Sequence, residues 1–215
     1  MSATTSQLAV ANEALAELKQ LEGITAISDQ PGDDPLQRYV ARFLPSALLT
    51  VLRAHDWPFA RKRLCIAACY CSETFTWSVA IPSDCVRVLT VTLAGRPVSF
   101  ERIGTNLVLL SDADEMLYTE NVQDIDLWDH LARQALVMKL TARLAEPVSG
   151  RLNAWEKYEN MYNRTLTEAR IAAGREAHRH YGTRKNGSPY YPQAMLGDTE
   201  GIVNYHMEET RLIPC

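Results

Sequence analysis

Apolar residues recur at helical spacing in four stretches of the chain, and the period changes between the second and the third. Over roughly 6–21, Leu8, Ala11, Leu15, Leu18 and Leu21 form one stripe, which Gly23 stops. A second helix is predicted from Asp34-Pro35, an N-cap followed by proline at the first helical position. Tyr39, Val40, Phe43, Leu44, Ala47, Leu48 and Val51 carry its period as far as His55-Asp-Trp-Pro-Phe. Pro45 lies inside that run, removes one backbone donor and predicts a kink near Ala41. A third helix is predicted over 126–145, with Asp124 or Asp126 as cap and Glu146-Pro147 as its end. Leu127, Trp128, Leu131, Ala135, Met138 and Ala142 line one side, and Leu136, Val137, Leu140 and Leu144 widen it, so this helix should be centrally buried. The fourth, over 151–173, sets Leu152, Trp155, Tyr158, Tyr162, Leu166, Ala169 and Ala173 on one face. The short Ser149-Gly150 turn makes the last two helices an antiparallel pair.

From about 64 to 120 the alternation becomes strand-like. Trp77–Ile81 and Val86–Leu93 read as strands, Ala94-Gly95-Arg96-Pro97 as a turn, and Val98–Ile103 and Leu107–Leu110 as returns about Gly104-Thr-Asn. Met116–Glu120 supplies a last strand. This spacing predicts an antiparallel meander of about four strands, a small sheet that needs helix cover. The fold class expected is α+β: a mainly antiparallel α-helical bundle (1–63 and 121–174), an inserted antiparallel β-meander in a β-rich region (64–120), and an extended C-terminal arm (175–215).

Composition changes little in this picture; the distribution of charge changes more. The 215 residues carry 22 basic and 26 acidic side chains, a formal net charge of −4. Residues 1–120 hold 10 basic and 14 acidic side chains, while 121–215 hold 12 of each, so the excess lies wholly in the first part. A basic field over the whole surface is excluded; a local basic patch is not. One occurs at 175–185, with Arg175, Arg179, Arg184 and Lys185 against Glu176. Residues 175–215 also hold four of the ten glycines, three of the ten prolines and four of the nine tyrosines, with no sustained apolar period, which predicts an arm without a core of its own. Fully extended, it would reach on the order of 135 Å. No run of about 18 apolar residues occurs, and Met1-Ser-Ala-Thr-Thr-Ser lacks the charged and apolar regions of a signal peptide. The expectation is a soluble protein made in the cytosol with reduced cysteines.

Motifs for chemistry are scarce. The chain has no Gly-x4-Gly-Lys-Ser/Thr, no Gly-x-Gly-x2-Gly and no His-Glu-x2-His. Cys65 and Cys69 are spaced like one zinc knuckle, but no second Cys/His pair matches them. His178 and His180 read as part of the basic stretch. Asp112, Asp114 and Glu115 lack the alternate spacing of a cation loop and read as a charged turn. The aromatic stripe of Trp128, Trp155, Tyr158 and Tyr162 has the spacing of core packing. The pattern predicts no enzyme, no cofactor and no metal.

Four runs carry a resemblance. They are Asn12-Glu-Ala-Leu; Leu49-Thr-Val-Leu-Arg-Ala-His-Asp-Trp-Pro-Phe-Ala-Arg-Lys-Arg; Trp77-Ser-Val-Ala-Ile-Pro-Ser-Asp-Cys-Val-Arg-Val-Leu; and Asp124…Trp128…Leu131-Ala…Leu144-Ala-Glu-Pro-Val-Ser-Gly. Over roughly 8–173 the chain resembles the tail tubular protein A family of tailed bacteriophages, head-to-tail adaptors. The run around Trp57 is the most specific, and it differs from relatives in placing its proline after the tryptophan.

The resemblance implies a homo-oligomeric ring of roughly twelve copies that joins the phage portal protein to the tail nozzle or tail tube protein, closed by heterologous contacts. It implies a virion protein of the neck, assembled in the host cytoplasm, past which genomic DNA moves non-specifically. Trp57, Phe59, Trp77 and Trp128 stand as the motif core. In the arm, Tyr181, Tyr190, Tyr191 and Tyr205, with Arg179, Arg184 and Lys185, are the residues expected to dock on portal or another partner. The competing reading is a nucleic-acid-binding protein using the basic segment 175–185. About four phosphate contacts there would give a salt slope near about −3.6 on duplex DNA.

Overall fold

A computed structural model describes residues 5–20, 23–28, 30, 34–71 and 76–180, excluding the side chains of Cys71 and of 176–180. Of the described residues, 51% are helical and 23% lie in strands. The chain divides into two compact units, built in their described parts from 5–60 with 121–176 and from 61–120. The class is α+β, but the expected mainly helical bundle with an inserted meander is incorrect, because the β-rich unit is a two-sheet body with its own core.

The helical unit holds α1 (Thr5–Glu17), α2 (Pro35–Ala54), α3 (His130–Ser149) and α4 (Ala154–His180). Asp34 caps α2 by accepting the Leu36 N–H at 2.9 Å, with Pro35 next to it, and the helix runs on through Pro45. The cap of α3 is neither Asp124 nor Asp126. Asp124 instead caps a 3-10 turn over Ile125–Leu127, and Asp129 caps α3 by accepting from the Leu131 and Ala132 amides. Nor does Pro147 end α3; it lies in the last turn, where Gly150 at φ 64° closes the helix by donating to the Glu146 carbonyl.

Ten residues of α3 are buried, and the helix packs against both α1 and α2. Its pairing with α4 is antiparallel: Lys139 meets Glu159 at 2.5 Å, and further along Glu146 accepts the Asn153 N–H at 3.1 Å. Residues 175–180, expected in the arm, continue α4. Ala, Arg and Glu around Gly174 favour helix strongly enough that one glycine does not stop it. Asn12 on α1 ties down the following loop, accepting the Ile24 N–H at 2.8 Å and donating to the Ile24 carbonyl at 3.1 Å.

The β-rich unit has eight strands among the described residues: β1 (Arg61–Cys65), β2 (Cys69–Cys71), β3 (Thr76–Ala80), β4 (Cys85–Leu93), β5 (Arg96–Pro97), β6 (Phe100–Ile103), β7 (Asn106–Leu109) and β8 (Glu115–Glu120). They form two antiparallel four-stranded sheets, ordered β1-β8-β4-β5 and β2-β3-β7-β6. Only the β4–β5, β6–β7 and β2–β3 pairs join neighbours in sequence; β1 pairs β8, β4 pairs β8 and β3 pairs β7 across longer gaps. Val79, Leu107 and Leu109 from one sheet share a buried core with Val91, Met116 and Tyr118 from the other. Each sheet therefore covers the other's apolar face, and no helix is needed to do so.

Candidate functional site

The motif aromatics are positioned by the ends of helices. After Ala54, His55 is extended (φ −148°, ψ 165°), which leaves carbonyls at the end of α2 without helical donors. The chain turns back so that the Trp57 indole Nε1 donates to the Val51 carbonyl at 2.8 Å, while Arg170 of α4 donates to the Ala54 carbonyl at 2.6 Å. Trp57 is fully buried. His55 meets its ring edge-on at 5.0 Å, and Phe59, on the 3-10 turn Pro58–Ala60, stacks against it at 5.8 Å and 21°.

Trp128 reaches the same place from the other end of the unit's sequence. The Asp124-capped turn ends at Trp128, whose backbone N–H donates to Ile125 and whose Nε1 donates to the Val122 carbonyl at 3.3 Å. Its ring stacks on Phe59 at 5.2 Å and 27°. Trp57, Phe59 and Trp128 thus form one continuous stack. Beside it lies an open recess of about 290 Å³ walled by Trp57, Pro58, Phe59, Leu127, Trp128 and Ala173, with Asp129 at its rim. Pockets for small molecules run from about 300 to 1,000 Å³. This one lies at the lower edge of that range, and most of the residues that wall it are apolar.

Trp77 is not part of that stack. It belongs to the β-rich unit, where it lies 5.3 Å from Tyr70 and packs against the core shared by the two sheets. Tyr181, Tyr190, Tyr191, Tyr205, Arg184 and Lys185 lie outside the described residues. Arg179 falls in the last turn of α4, and its side chain also lies outside the described residues; Arg175 is exposed.

The face predicted for α4 is only partly buried. Tyr162, Leu166, Ala169 and Ala173 are in the core, but Trp155 is 42% exposed and Leu152 is 90% exposed. The first turn of this stripe overhangs the unit, so core packing explains Tyr162 and Trp128 but not the other end.

One polar cluster has no counterpart in the sequence reading. In the β-rich unit the Lys62 ammonium donates to Asp84 and to Glu120, each at 2.7 Å, and the Tyr118 hydroxyl donates to Asp84 at 3.1 Å. Lys62 and Tyr118 are register partners on β1 and β8, Glu120 is two residues further on the same face, and Asp84 sits in the turn before β4. The hydrogen bonds it donates to Asp84 and Glu120 hold the Lys62 ammonium well above its ordinary range. The bond from Lys62 holds Asp84 below the usual carboxylate range, and burial pushes the Tyr118 phenol up. At neutral pH the amine and the phenol keep their protons, so neither is poised as a base. The cluster is a brace across β1, β8 and the β3–β4 turn. Pairing register, not spacing along the chain, brings 62, 84, 118 and 120 together.

Cys65 and Cys69 carry free, exposed thiols on strands of different sheets. Among the described residues no group of three or more His, Cys, Asp and Glu side chains could hold a metal ion, and no helix is long and apolar enough to cross a membrane. In comparisons with known proteins, no family model matches the chain and no curated protein matches it.

Proposed function

We propose that this chain is a structural head-to-tail adaptor of a tailed bacteriophage, a ring subunit that joins the portal to the tail and lines the DNA passage. The carrying observation is the stack of Trp57, Phe59 and Trp128. These residues come from two of the runs on which the resemblance rests, separated by about seventy residues, and they meet as one built feature with an open recess beside it. A connector needs surfaces for neighbours more than it needs a reactive centre, and an open recess with mainly apolar walls is such a surface. The net charge of −4 is in keeping with a wall past which DNA slides, since a basic channel would grip phosphates in a salt-sensitive way. Segment 181–215, with its four tyrosines, is the part proposed to dock on the portal.

The test is a binding comparison. Full-length chain and a chain ending at His180 are each mixed with portal rings from the same phage and sedimented. Full-length chain is expected to travel with the portal and the shortened chain to remain behind, although folded. Equal binding of the two would overturn the assignment of the segment; no binding by either would overturn the adaptor reading.

A further inference from the structure

The exposed stripe of α2 carries one sign of charge. Val40, Leu44, Ala47, Leu48, Val51 and Leu52 are buried, while Arg38, Arg42, Pro45, Leu49 and Arg53 run along the opposite side, each exposed. The helix contains no Asp or Glu. Residues 1–60 hold four basic side chains and seven acidic ones; three of the four basic ones stand on this stripe, and none of the acids does. At about 1.5 Å per residue, the stripe from Arg38 to Arg53 is about 22 Å long.

Two more arginines reach α2 from its neighbours, and neither brings a counter-charge. Arg143 of α3 donates to the Ser46 hydroxyl at 2.6 Å and to the Thr50 hydroxyl at 3.3 Å, and both hydroxyls give their own protons to α2 carbonyls. Arg170 of α4 donates to the Ala54 carbonyl at the end of α2. Each of these partners is neutral. The carboxylates of the surrounding elements are engaged elsewhere: Asp34 caps α2, Glu159 pairs with Lys139, and Glu146 accepts the Asn153 N–H. Asp56 lies past the end of α2, and Glu156, exposed on α4, makes no ion pair with Arg38, Arg42, Arg143 or Arg170 among the described residues. Like charges gathered in this way repel one another, and an anion from outside the chain relieves that cost.

We infer that the arginine stripe of α2 is a contact face for the phosphate backbone of duplex DNA, with Arg38 and Arg42 at its centre of charge. Guanidinium forks pair bidentately with phosphate oxygens. Each strand of a duplex presents a phosphate about every 3.4 Å along the axis, so a straight stripe of about 22 Å meets several at once. A protein partner would have to place carboxylates opposite these positions one by one, whereas a duplex offers phosphates in every register. Leu49, in the middle of the stripe, adds no charge and leaves its sign unbroken. In the adaptor this is the face turned to the passing duplex, and the inference rests on that reading for the source of the DNA. Backbone contact without sequence preference lets a protein slide along DNA, and one narrow stripe on a chain of net charge −4 steers the duplex without gripping it.

The experiment is fluorescence anisotropy of a labelled duplex of about 20 base pairs with the full chain, between about 50 and 200 mM salt. Three paired variants accompany the wild type: Arg38→Gln/Arg42→Gln on the stripe, Arg96→Gln/Arg102→Gln on the β-rich unit, and Arg184→Gln/Lys185→Gln in the C-terminal segment. Arg38, Arg42, Arg96 and Arg102 are exposed, and matched thermal melts establish that each variant folds. The wild type is expected to bind with a slope of log K against log salt of about −3.6, for about four contacts. Arg38→Gln/Arg42→Gln should lose about 1.8 of that slope and bind about tenfold or more weakly at the lowest salt, and the other two pairs should stay closer to wild type. No salt-dependent binding, or an equal or greater loss in either of the other pairs, overturns the inference. Poly-L-glutamate binding as tightly as the duplex overturns it too, in favour of an acidic protein. Portal rings mixed with the same proteins separate the two readings. Portal binding without DNA binding removes this face and leaves the adaptor reading standing. DNA binding through Arg38 and Arg42 in a chain that never joins a portal supports the face and removes the adaptor reading.

Discussion

Replacing Trp57 tests whether the aromatic stack is a structural keystone or a surface ornament. Its side chain is fully buried, donates to the Val51 carbonyl at 2.8 Å and has rings on two sides. Trp57→Ala removes the packing and leaves a cavity, a change that costs about 3–5 kcal/mol in protein cores. Trp57→Phe keeps an aromatic surface for Phe59 but orphans the Val51 carbonyl at the end of α2. An unsatisfied buried acceptor costs about 1–3 kcal/mol, so this variant should fall clearly between wild type and alanine. Urea unfolding of the full chain, read by hydrogen exchange on peptides from 35–60 and 121–149, separates the three proteins. If Trp57→Ala costs under about 1 kcal/mol, or if Trp57→Phe is as stable as wild type, the account of the stack and of the α2 terminus is wrong.

Two further predictions concern other parts of the molecule. Asp84 has a depressed carboxyl in the folded state, so the stability it contributes is present above the unfolded carboxyl's range and is lost as pH falls through the folded one. Lys62 is raised, so its contribution holds below the unfolded amine's range and fades as pH rises through the folded one. Lys62→Met should therefore flatten the acid loss below about pH 4, measured by exchange on peptides from 115–120, and parallel curves for the two proteins would sink the brace. In the helical unit, a Cβ on Gly23 would lie 2.9 Å from the Asn12 side-chain oxygen that accepts the Ile24 N–H. Gly23→Ala should thus cost about 1–3 kcal/mol alone and much less in an Asn12→Ala background; additive costs in urea titrations would contradict the contact.

The sequence made local features of the helical unit legible and left non-local ones hidden. Asp34-Pro35 announced the start of α2 because cap and first-turn chemistry are local, and the wide apolar surface of α3 marked its central position. The caps before α3 were harder, since Asp124, Asp126 and Asp129 all offer the right side chain and only the 3-10 turn decides among them. In the β-rich unit, β1 reads Arg-Lys-Arg and shows almost no buried face, while β2 has three residues, so neither has a strand's alternation. Without them the remaining strands look like neighbours in a meander, although β8 lies between β1 and β4. Trp57, Phe59, Trp77 and Trp128 were expected together as a motif core; that three of them stack and that Trp77 lies in the β-rich unit are tertiary facts. The overhang of Leu152 was equally hidden, because helical periodicity places a residue on a face without showing where the neighbouring surface ends.

The central claim, that this chain is the ring subunit between portal and tail, is tested most directly by native mass spectrometry of the full chain with and without portal rings from the same phage. A closed species of roughly twelve 24.1 kDa chains, about 289 kDa, is expected to add to the mass of the portal. A chain that stays monomeric and leaves the portal mass unchanged would contradict it.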